Sequence, residues 1–133
     1  MGTWDAGPFD NDAAADFLSD SGSSPRALAT TLRRCADADP TEYLDVDDGQ
    51  AAIAAAELVA LGYGFGNLDA VSDHIRAIAG RLGPNEELRL LAIKAIPRIR
   101  DRKHSEVASL WAHDPAFDER LLGLFARLIA AGE

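Results

Sequence analysis

The sequence predicts an all-α protein, with residues 1–133 forming one domain of about six or seven short helices around a central apolar helix. Three observations support this prediction. Apolar residues recur at three- and four-residue spacing through most of the chain, as they do in amphipathic helices. Residues 51–61 are apolar on every face except at Glu57, which is typical of a helix in the middle of a fold. No segment of convincing length alternates as a strand would.

The charge of the chain is strongly acidic and unevenly distributed. The formal net charge is −9, and residues 1–50 hold eleven acidic residues against three arginines, whereas residues 51–133 are almost balanced. This distribution argues against nucleic acid or an anionic membrane as the main partner. It suits a basic protein surface, a cation, or solubility alone. No apolar run approaches the roughly 20 residues that span a bilayer.

The cysteine content and the N-terminus predict a cytoplasmic protein. Cys35 is the only cysteine, and no signal peptide is recognisable, so we expect a reducing compartment. Many alanines and arginines with only two lysines suggest a bacterium with GC-rich DNA. Cys35 shares a helical face with Leu28 and Leu32, which indicates a core residue rather than a reactive thiol.

The first segment combines large apolar side chains with acidic helix-start residues. Trp4 and Phe9 lie in a glycine-containing loop, and Asp10, Asn11 and Asp12 then open the first predicted helix. Asp10 is the expected N-cap, since its carboxylate can accept a first-turn N–H. The buried stripe of this helix is predicted to be Ala13, Ala14, Phe17 and Leu18.

Three stretches resemble an uncharacterised family, catalogued as domain of unknown function 4259. The opening GTWDAGPFDNDAAADF (residues 2–17) is similar to its N-terminal signature. AAAELVA (54–60) is similar to its central helix, and SEVASLW (105–111) to its closing segment. The family commonly has Gly where this chain has Asp5, and often has a further Trp in the last helix. The resemblance implies a mostly helical bacterial protein and implies no particular chemistry.

The next two helices have recognisable ends. Ser24 is the expected N-cap of the second helix, with Pro25 at its first position, and the helix should end by residues 37–40. Asp47 and Gln50 have the spacing of a capping box for the central helix, which should end near Gly62. A helix precedes the glycines at 62, 64 and 66, so they indicate a C-cap and linker rather than a phosphate loop.

The fourth and fifth helices are separated by Gly83-Pro84. The fourth is predicted from the pattern Leu68, Val71, Ile75, Ile78 and Leu82. The fifth should begin near Asn85, with a kink or an early end near Ile96 because of Pro97. Its end carries the only basic cluster, which suits either the helix dipole or an anionic partner: Arg98, Arg100, Arg102 and Lys103.

The last two helices are predicted from residues 105–133. A short sixth helix should direct Val107, Leu110 and Trp111 inward. The final helix should start at Asp114-Pro115 and carry two apolar stripes, so that much of it is covered. The stripes are Phe117, Leu121, Leu124 and Leu128, and then Leu122, Phe125 and Ile129.

Glu57 is the clearest candidate for a functional or anchoring residue. A carboxylate inside an apolar helix costs several kcal/mol unless it is paired or protonated. We expect it to bond to an arginine, a tryptophan N–H or backbone amides, and to anchor the loop from Trp4 to Asp12. The alternative is a general base or a metal ligand.

No metal, cofactor or catalytic motif is recognisable. The runs Asp10–Asp16 and Asp45–Asp48 lack the glycine and the final glutamate of a calcium loop, although both could join Glu57 in a tertiary site. The three histidines, His74, His104 and His113, show no metal-binding spacing. No nucleophile elbow is present.

The sequence favours a non-enzymatic, acidic protein-interaction module. It would bind a partner with a basic surface, and an immunity-type protein that masks a basic toxin surface would fit its charge and size. The candidate partner-binding or loop-anchoring residues are Trp4, Phe9, Asp10, Asn11, Asp12 and Glu57. The alternative is a metal-dependent or acid–base enzyme using Glu57 and the N-terminal carboxylates. A homo-oligomer with a structural role is left open.

Overall fold

The described part of the chain is predominantly helical. A computed structural model describes residues 24–39, 41–65, 73–112 and 114–132. These residues form six helices: α1 (Pro25–Ala36), α2 (Val46–Gly62), α3 (Asp73–Leu82), α4 (Glu86–Ile99), α5 (Glu106–Leu110) and α6 (Pro115–Ala131). The all-α prediction is therefore confirmed.

Helix α2 is the centre of the bundle, as its apolar sequence predicts. It packs against each of the other five described helices. Every residue from Ala52 to Leu61 is buried except Glu57, which is partly buried. Because α2 has neighbours on all sides, it needs apolar residues around its whole circumference rather than along one stripe.

The remaining helices bury single stripes against α2 and one another. Helices α1 and α4 share an extensive interface, and α6 packs on both α2 and α4. The predicted faces of α1 and the first stripe of α6 are confirmed as core. These residues are Leu28, Leu32, Cys35, Phe117, Leu121, Leu124 and Leu128, each at most 3% exposed.

Most predicted helix starts are confirmed by side-chain caps. The side chains of Ser24, Asn85 and Asp114 each accept a backbone N–H from the first turn of α1, α4 and α6. The predicted end of α3 is also confirmed, since Gly83 has φ +59°, a left-handed conformation that ends a helix at little cost for glycine.

The predicted N-cap of α2 is wrong by two residues. Asp45, rather than Asp47, is the cap, and its Oδ1 accepts the N–H of Asp48 at 2.9 Å. The carboxylate of Glu106 also accepts the N–H of Val46, the first residue of α2, at 2.8 Å. This long-range bond satisfies a first-turn amide and helps the helix to begin earlier than the local pattern predicts.

Of the two alternatives predicted near Ile96, a kink or an early end of α4, the early end is wrong. The helix continues through Pro97 to Ile99. Pro97 lies in the last turn and is exposed, so its ring costs one backbone hydrogen bond and does not disturb the core.

Several apolar side chains that we expected to be covered are exposed. Leu110 is 55% exposed, and Ala108 fills the buried position of α5 instead. The second stripe of α6 is only partly covered, because Leu122 and Ile129 are 45% and 41% exposed. Helix α6 therefore has one covered face among the described residues, and the prediction of two was wrong.

Among the described residues, the β-structure is limited to an isolated bridge. Leu44 pairs with Ser105 in parallel orientation, joining the α1–α2 connection to the start of α5. None of the described helices is both long and apolar enough to cross a membrane.

Candidate functional site

The predicted site residues divide between described and undescribed parts of the chain. Trp4, Phe9, Asp10, Asn11 and Asp12 lie outside the described residues, as does the predicted helix that follows them. Their proposed roles, and the anchoring of their loop by Glu57, stay predictions. Glu57 itself is described, and so is the acidic connection between α1 and α2.

Glu57 forms a two-pronged ion pair with Arg127 of α6. Arg127 Nη2 lies 2.7 Å from Glu57 Oε1, and Nη1 lies 3.0 Å from Oε2. Arg127 Nη1 also donates to the carbonyl of Phe65 at 3.1 Å. The Glu57 side chain is 15% exposed and that of Arg127 is 35% exposed. Of the expected partner types, the structure therefore shows an arginine.

This pairing limits the chemistry available to Glu57. Both carboxylate oxygens accept a guanidinium N–H, which is the strongest geometry for an arginine–carboxylate pair. Both oxygens of Glu57 are engaged by Arg127, so a substrate proton or a metal ion would have to compete with this ion pair for the carboxylate. The arrangement instead links the middle of α2 to α6 and to the chain that follows α2.

Among residues 24–39, 41–65, 73–112 and 114–132, no candidate ligands form a metal-binding group with Glu57. The described residues contain no group of three or more His, Cys, Asp or Glu side chains placed to hold a metal ion. His74 is exposed on α3, whereas His104 Nδ1 lies 2.9 Å from Asp101 Oδ2. His113 and the carboxylates before residue 24 lie outside the described residues.

A second candidate site is the acidic segment, which we define as residues 37–39 and 41–48. Its exposed carboxylates are Asp37, Asp39, Glu42, Asp45 and Asp47. Asp37 pairs with Lys94 at 3.1 Å across the α1–α4 interface. By contrast, Glu42 and Asp47 form no ion pair with any described residue and present uncompensated negative charge.

An aromatic residue lies among these carboxylates. Tyr43 is 57% exposed, although the next residue, Leu44, is 2% exposed and belongs to the core. An exposed tyrosine is a common contact residue of protein interfaces, since it offers apolar area and a hydroxyl at low entropic cost. The acidic segment therefore combines charge with an aromatic contact.

The acidic segment is held in place by main-chain bonds to residues 104–106. Leu44 N–H donates to the carbonyl of His104 at 2.7 Å, and Glu106 N–H donates to the carbonyl of Leu44 at 2.9 Å. These two bonds bracket the buried Leu44 side chain. The backbone on either side of Tyr43 is thus fixed by burial and by hydrogen bonds.

Arg98 secures the other half of the segment. Its Nη2 donates to the carbonyls of Asp39 and Glu42 at 3.0 and 3.1 Å. Its Nε and Nη1 are buried without a hydrogen bond, and Nη1 lies 3.8 Å from Asp101 Oδ2. A guanidinium buried in this way is costly, and its two carbonyl contacts order the turn before Tyr43.

The rest of the basic cluster is divided between paired and exposed side chains. Arg100 forms a two-pronged ion pair with Asp118, with Nε–Oδ1 at 2.7 Å and Nη2–Oδ2 at 3.0 Å. The hydrogen bonds from Arg100 lower the pKa of Asp118 below its ordinary value. Arg102 and Lys103 are exposed. Two of the four cations, Arg98 and Arg100, therefore form hydrogen bonds with other groups of the protein.

Cys35 is a core residue, as its position in the pattern predicts. It is fully buried, and burial raises the pKa of its thiol to about 12. A thiol with so high a pKa holds almost no thiolate at neutral pH, so it is a poor nucleophile.

Three residues of these sites were not identified from the sequence. Arg127 is the partner of Glu57, but its only sequence signal is its place beside the buried stripe of α6, one residue before Leu128. Tyr43 lies between two predicted helices, where a lone tyrosine carries no periodic signal. Arg98 was grouped with a basic cluster, because its contacts with carbonyls 56 and 59 residues away are tertiary.

The chain matches a known protein family. The family model described as Domain of unknown function (DUF4259) matches residues 2–121. No curated protein and no solved structure gives a significant match to this chain. The matched range includes the acidic segment, Glu57 and Arg98, and it ends before Arg127. Because this match covers most of the sequence, the chain belongs to the DUF4259 family.

Proposed function

We propose that this protein is a non-enzymatic interaction module that binds a basic protein surface through its acidic segment. The observation that carries the proposal is the exposed Tyr43 among uncompensated carboxylates, on a backbone that the fold holds in place. Interfaces gain affinity when their contact residues are ordered before binding. The negative charge would attract a basic partner and speed its association.

The rigidity of the segment supports binding rather than solubility alone as its role. Carboxylates that serve only solubility need no fixed backbone. The backbone of the acidic segment is nevertheless ordered by the hydrogen bonds of Arg98 and of Leu44. The pairing of Glu57 with Arg127 further supports a non-enzymatic role, because it engages the carboxylate that the sequence singles out as a candidate base.

The proposal extends to the setting of the protein. We place it in a bacterial cytoplasm, which the single buried thiol and the abundance of alanine and arginine with few lysines support. The partner would be a basic protein rather than nucleic acid, because like charges repel. An immunity-type role, in which the acidic segment masks a basic toxin surface, is the specific form that suits this size and charge.

The test begins with capture of a partner from the source cells on immobilised wild-type protein. The purified partner is then titrated calorimetrically against wild type, Tyr43→Ala and the double variant Glu42→Gln/Asp47→Asn. We expect Tyr43→Ala to weaken binding about tenfold or more, as loss of an aromatic contact residue commonly does. The double variant should bind more weakly and with less dependence on salt.

Matched controls come from α6. Glu119 is exposed without an ion pair to any described residue, and Leu122 is 45% exposed, so Glu119→Gln and Leu122→Ala make equivalent changes away from the acidic segment. Both should bind the partner within about twofold of wild type. Equal binding by wild type and the Glu42/Asp47 variant would contradict the proposal.

A further inference from the structure

The acidic segment exposes an unpaired stretch of extended backbone. In a strand, the N–H and C=O groups of successive residues point to opposite edges. Leu44 directs both of its groups toward residues 104–106, where they are bonded. Because the peptide bonds on either side of Leu44 are trans, the C=O of Tyr43 and the N–H of Asp45 point away from residues 104–106. Asp45 is extended, with φ −76° and ψ 165°.

Three of the four main-chain groups of Tyr43 and Asp45 have no partner among the described residues. The C=O of Asp45 accepts the N–H of Gly49 at 3.1 Å and so belongs to the first turn of α2. The N–H and C=O of Tyr43 and the N–H of Asp45 form no hydrogen bond with described residues. Both residues are exposed, so water or a partner backbone can reach them.

We infer that residues 43–45 form a docking edge for an extended, basic segment of the partner protein. The inference rests on the proposed function and specifies how the partner binds. An extended peptide can add to an exposed edge through main-chain hydrogen bonds, while its side chains give specificity. Here the isolated bridge between Leu44 and Ser105 holds one residue in place, and a strand of the partner can lie on its other side.

Charge and shape select the kind of segment that fits. Glu42 and Asp47 flank the edge without ion pairs to described residues, so lysine or arginine side chains would find partners there. The exposed ring of Tyr43 lies at the same edge and can pack on the stem of such a cation. An acidic or helical segment would satisfy neither the carboxylates nor the free main-chain groups.

The edge is short, which sets the scale of the expected effect. It offers two N–H donors and one C=O acceptor, and each main-chain bond makes a modest net contribution. A short peptide should therefore bind weakly, and removal of one main-chain donor should weaken its binding several-fold. Binding by a whole partner would add contacts beyond the edge.

The experiment uses ¹⁵N-labelled full-length protein and three capped synthetic peptides. The first is Lys-Val-Thr-Val-Lys, the second is the same peptide with its central amide N-methylated, and the third is Glu-Val-Thr-Val-Glu. Amide shifts are followed by NMR during titration. We expect the first peptide to shift the amides of Tyr43 and Asp45, the second to bind about fivefold more weakly, and the third to cause no shift.

The outcomes separate this inference from the proposed function. If the basic and N-methylated peptides bind equally, the surface is contacted by side chains alone, which overturns the edge and leaves the proposed function standing. If the basic peptide moves neither Tyr43 nor Asp45, the edge is likewise overturned. A repeat with Tyr43→Ala, which keeps the backbone, should retain the effect of N-methylation while reducing the overall affinity. The proposed function itself fails only in the charge-variant titration with the purified partner.

Discussion

At the scale of single residues, the pair of Glu57 and Arg127 explains how an apolar helix accommodates a charge. The carboxylate is largely removed from water, but both of its oxygens receive hydrogen bonds. Arg127 stays partly exposed, so part of its hydration is kept. Removing one partner leaves the other poorly compensated, which is the main energetic consequence of such a pair.

Truncation of Glu57 should therefore destabilise the fold more than an apolar replacement does. We expect Glu57→Ala to lower the free energy of unfolding by about 2 kcal/mol. Glu57→Leu should cost less, because it fills the volume in an apolar setting. Urea denaturation gives the coupling energy between the two side chains from Glu57→Ala, Arg127→Ala and the variant that combines them. We expect a coupling energy of about 1 kcal/mol. A coupling near zero would show that the two side chains do not stabilise each other.

A second residue-scale prediction concerns Asp118 and Arg100. The pKa of Asp118 is lowered by its hydrogen bonds from Arg100, so the native state binds this proton less readily than the unfolded chain does. The ion pair consequently contributes stability above the ordinary Asp pKa of about 3.9, and this contribution is lost as the pH falls below it.

Asp118→Asn should test this linkage. At neutral pH the variant should be less stable than wild type by about 0.5–1 kcal/mol, since the pair is partly exposed. The difference should vanish as the pH approaches about 2. Thermal unfolding of wild type and Asp118→Asn from pH 7 to pH 2 measures this difference in stability, with Glu119→Gln as the control. A difference that stays constant across this range would mean that Asp118 acts through something other than its charge.

The sequence predicted the need for a partner at Glu57 but not which residue would supply it. The need is local, because the flanking residues of α2 are all apolar. The partner lies 70 residues further along the chain, where nothing distinguishes Arg127 from an exposed arginine. Long-range pairing of this kind depends on the packing of helices, which a single sequence does not encode in a readable pattern.

At the scale of helices, starts defined by local capping were predictable and those defined by tertiary contacts were not. Ser24, Asn85 and Asp114 cap their own first turns, so the signal lies within a few residues. Helix α2 begins two residues earlier than its capping-box pattern, because Glu106 reaches its first amide from α5. Periodicity identified the second stripe of α6 as apolar, but it could not show whether anything covers it.

The close approach of α2 and α5 gives a prediction for two helical glycines. A Cβ at Gly49 would lie 2.8 Å from Cγ1 of the buried Val107, whereas a Cβ at Gly123 would meet no atom within 4 Å. Gly49→Ala should therefore destabilise the protein by about 1–2 kcal/mol through overpacking. Gly123→Ala should stabilise it by about 0.5–1 kcal/mol, because alanine is the better helix former.

These two variants are matched, since both replace a helical glycine by alanine and differ only in their surroundings. Melting temperatures from circular dichroism should move in opposite directions. If both variants melt above the wild type, α2 and α5 do not pack as closely at Gly49 as the structure shows. If adding Val107→Ala to Gly49→Ala recovers part of the lost melting temperature, the contact between the new Cβ and Val107 is the cause of the destabilisation.

At the scale of the whole molecule, the fold separates a neutral helical core from an acidic surface segment. Helix α2 is surrounded by the other described helices, and the acidic segment enters it directly at Asp45. The fold class and the central helix were predictable, since both follow from apolar periodicity. The ordered, exposed backbone at Tyr43 was not, because it depends on Arg98 and on the pairing of Leu44 with Ser105.

The central claim is that the acidic segment binds a protein partner and that Glu57 has a structural role. Native mass spectrometry of untagged protein from its source cells tests both parts at once, with Glu57→Gln and Tyr43→Ala as variants. We predict a retained protein partner that is lost from Tyr43→Ala, and no bound ion or small molecule that depends on Glu57. A metal ion or small molecule that is retained by the wild type and lost from folded Glu57→Gln would contradict the account, because Glu57 would then be a ligand.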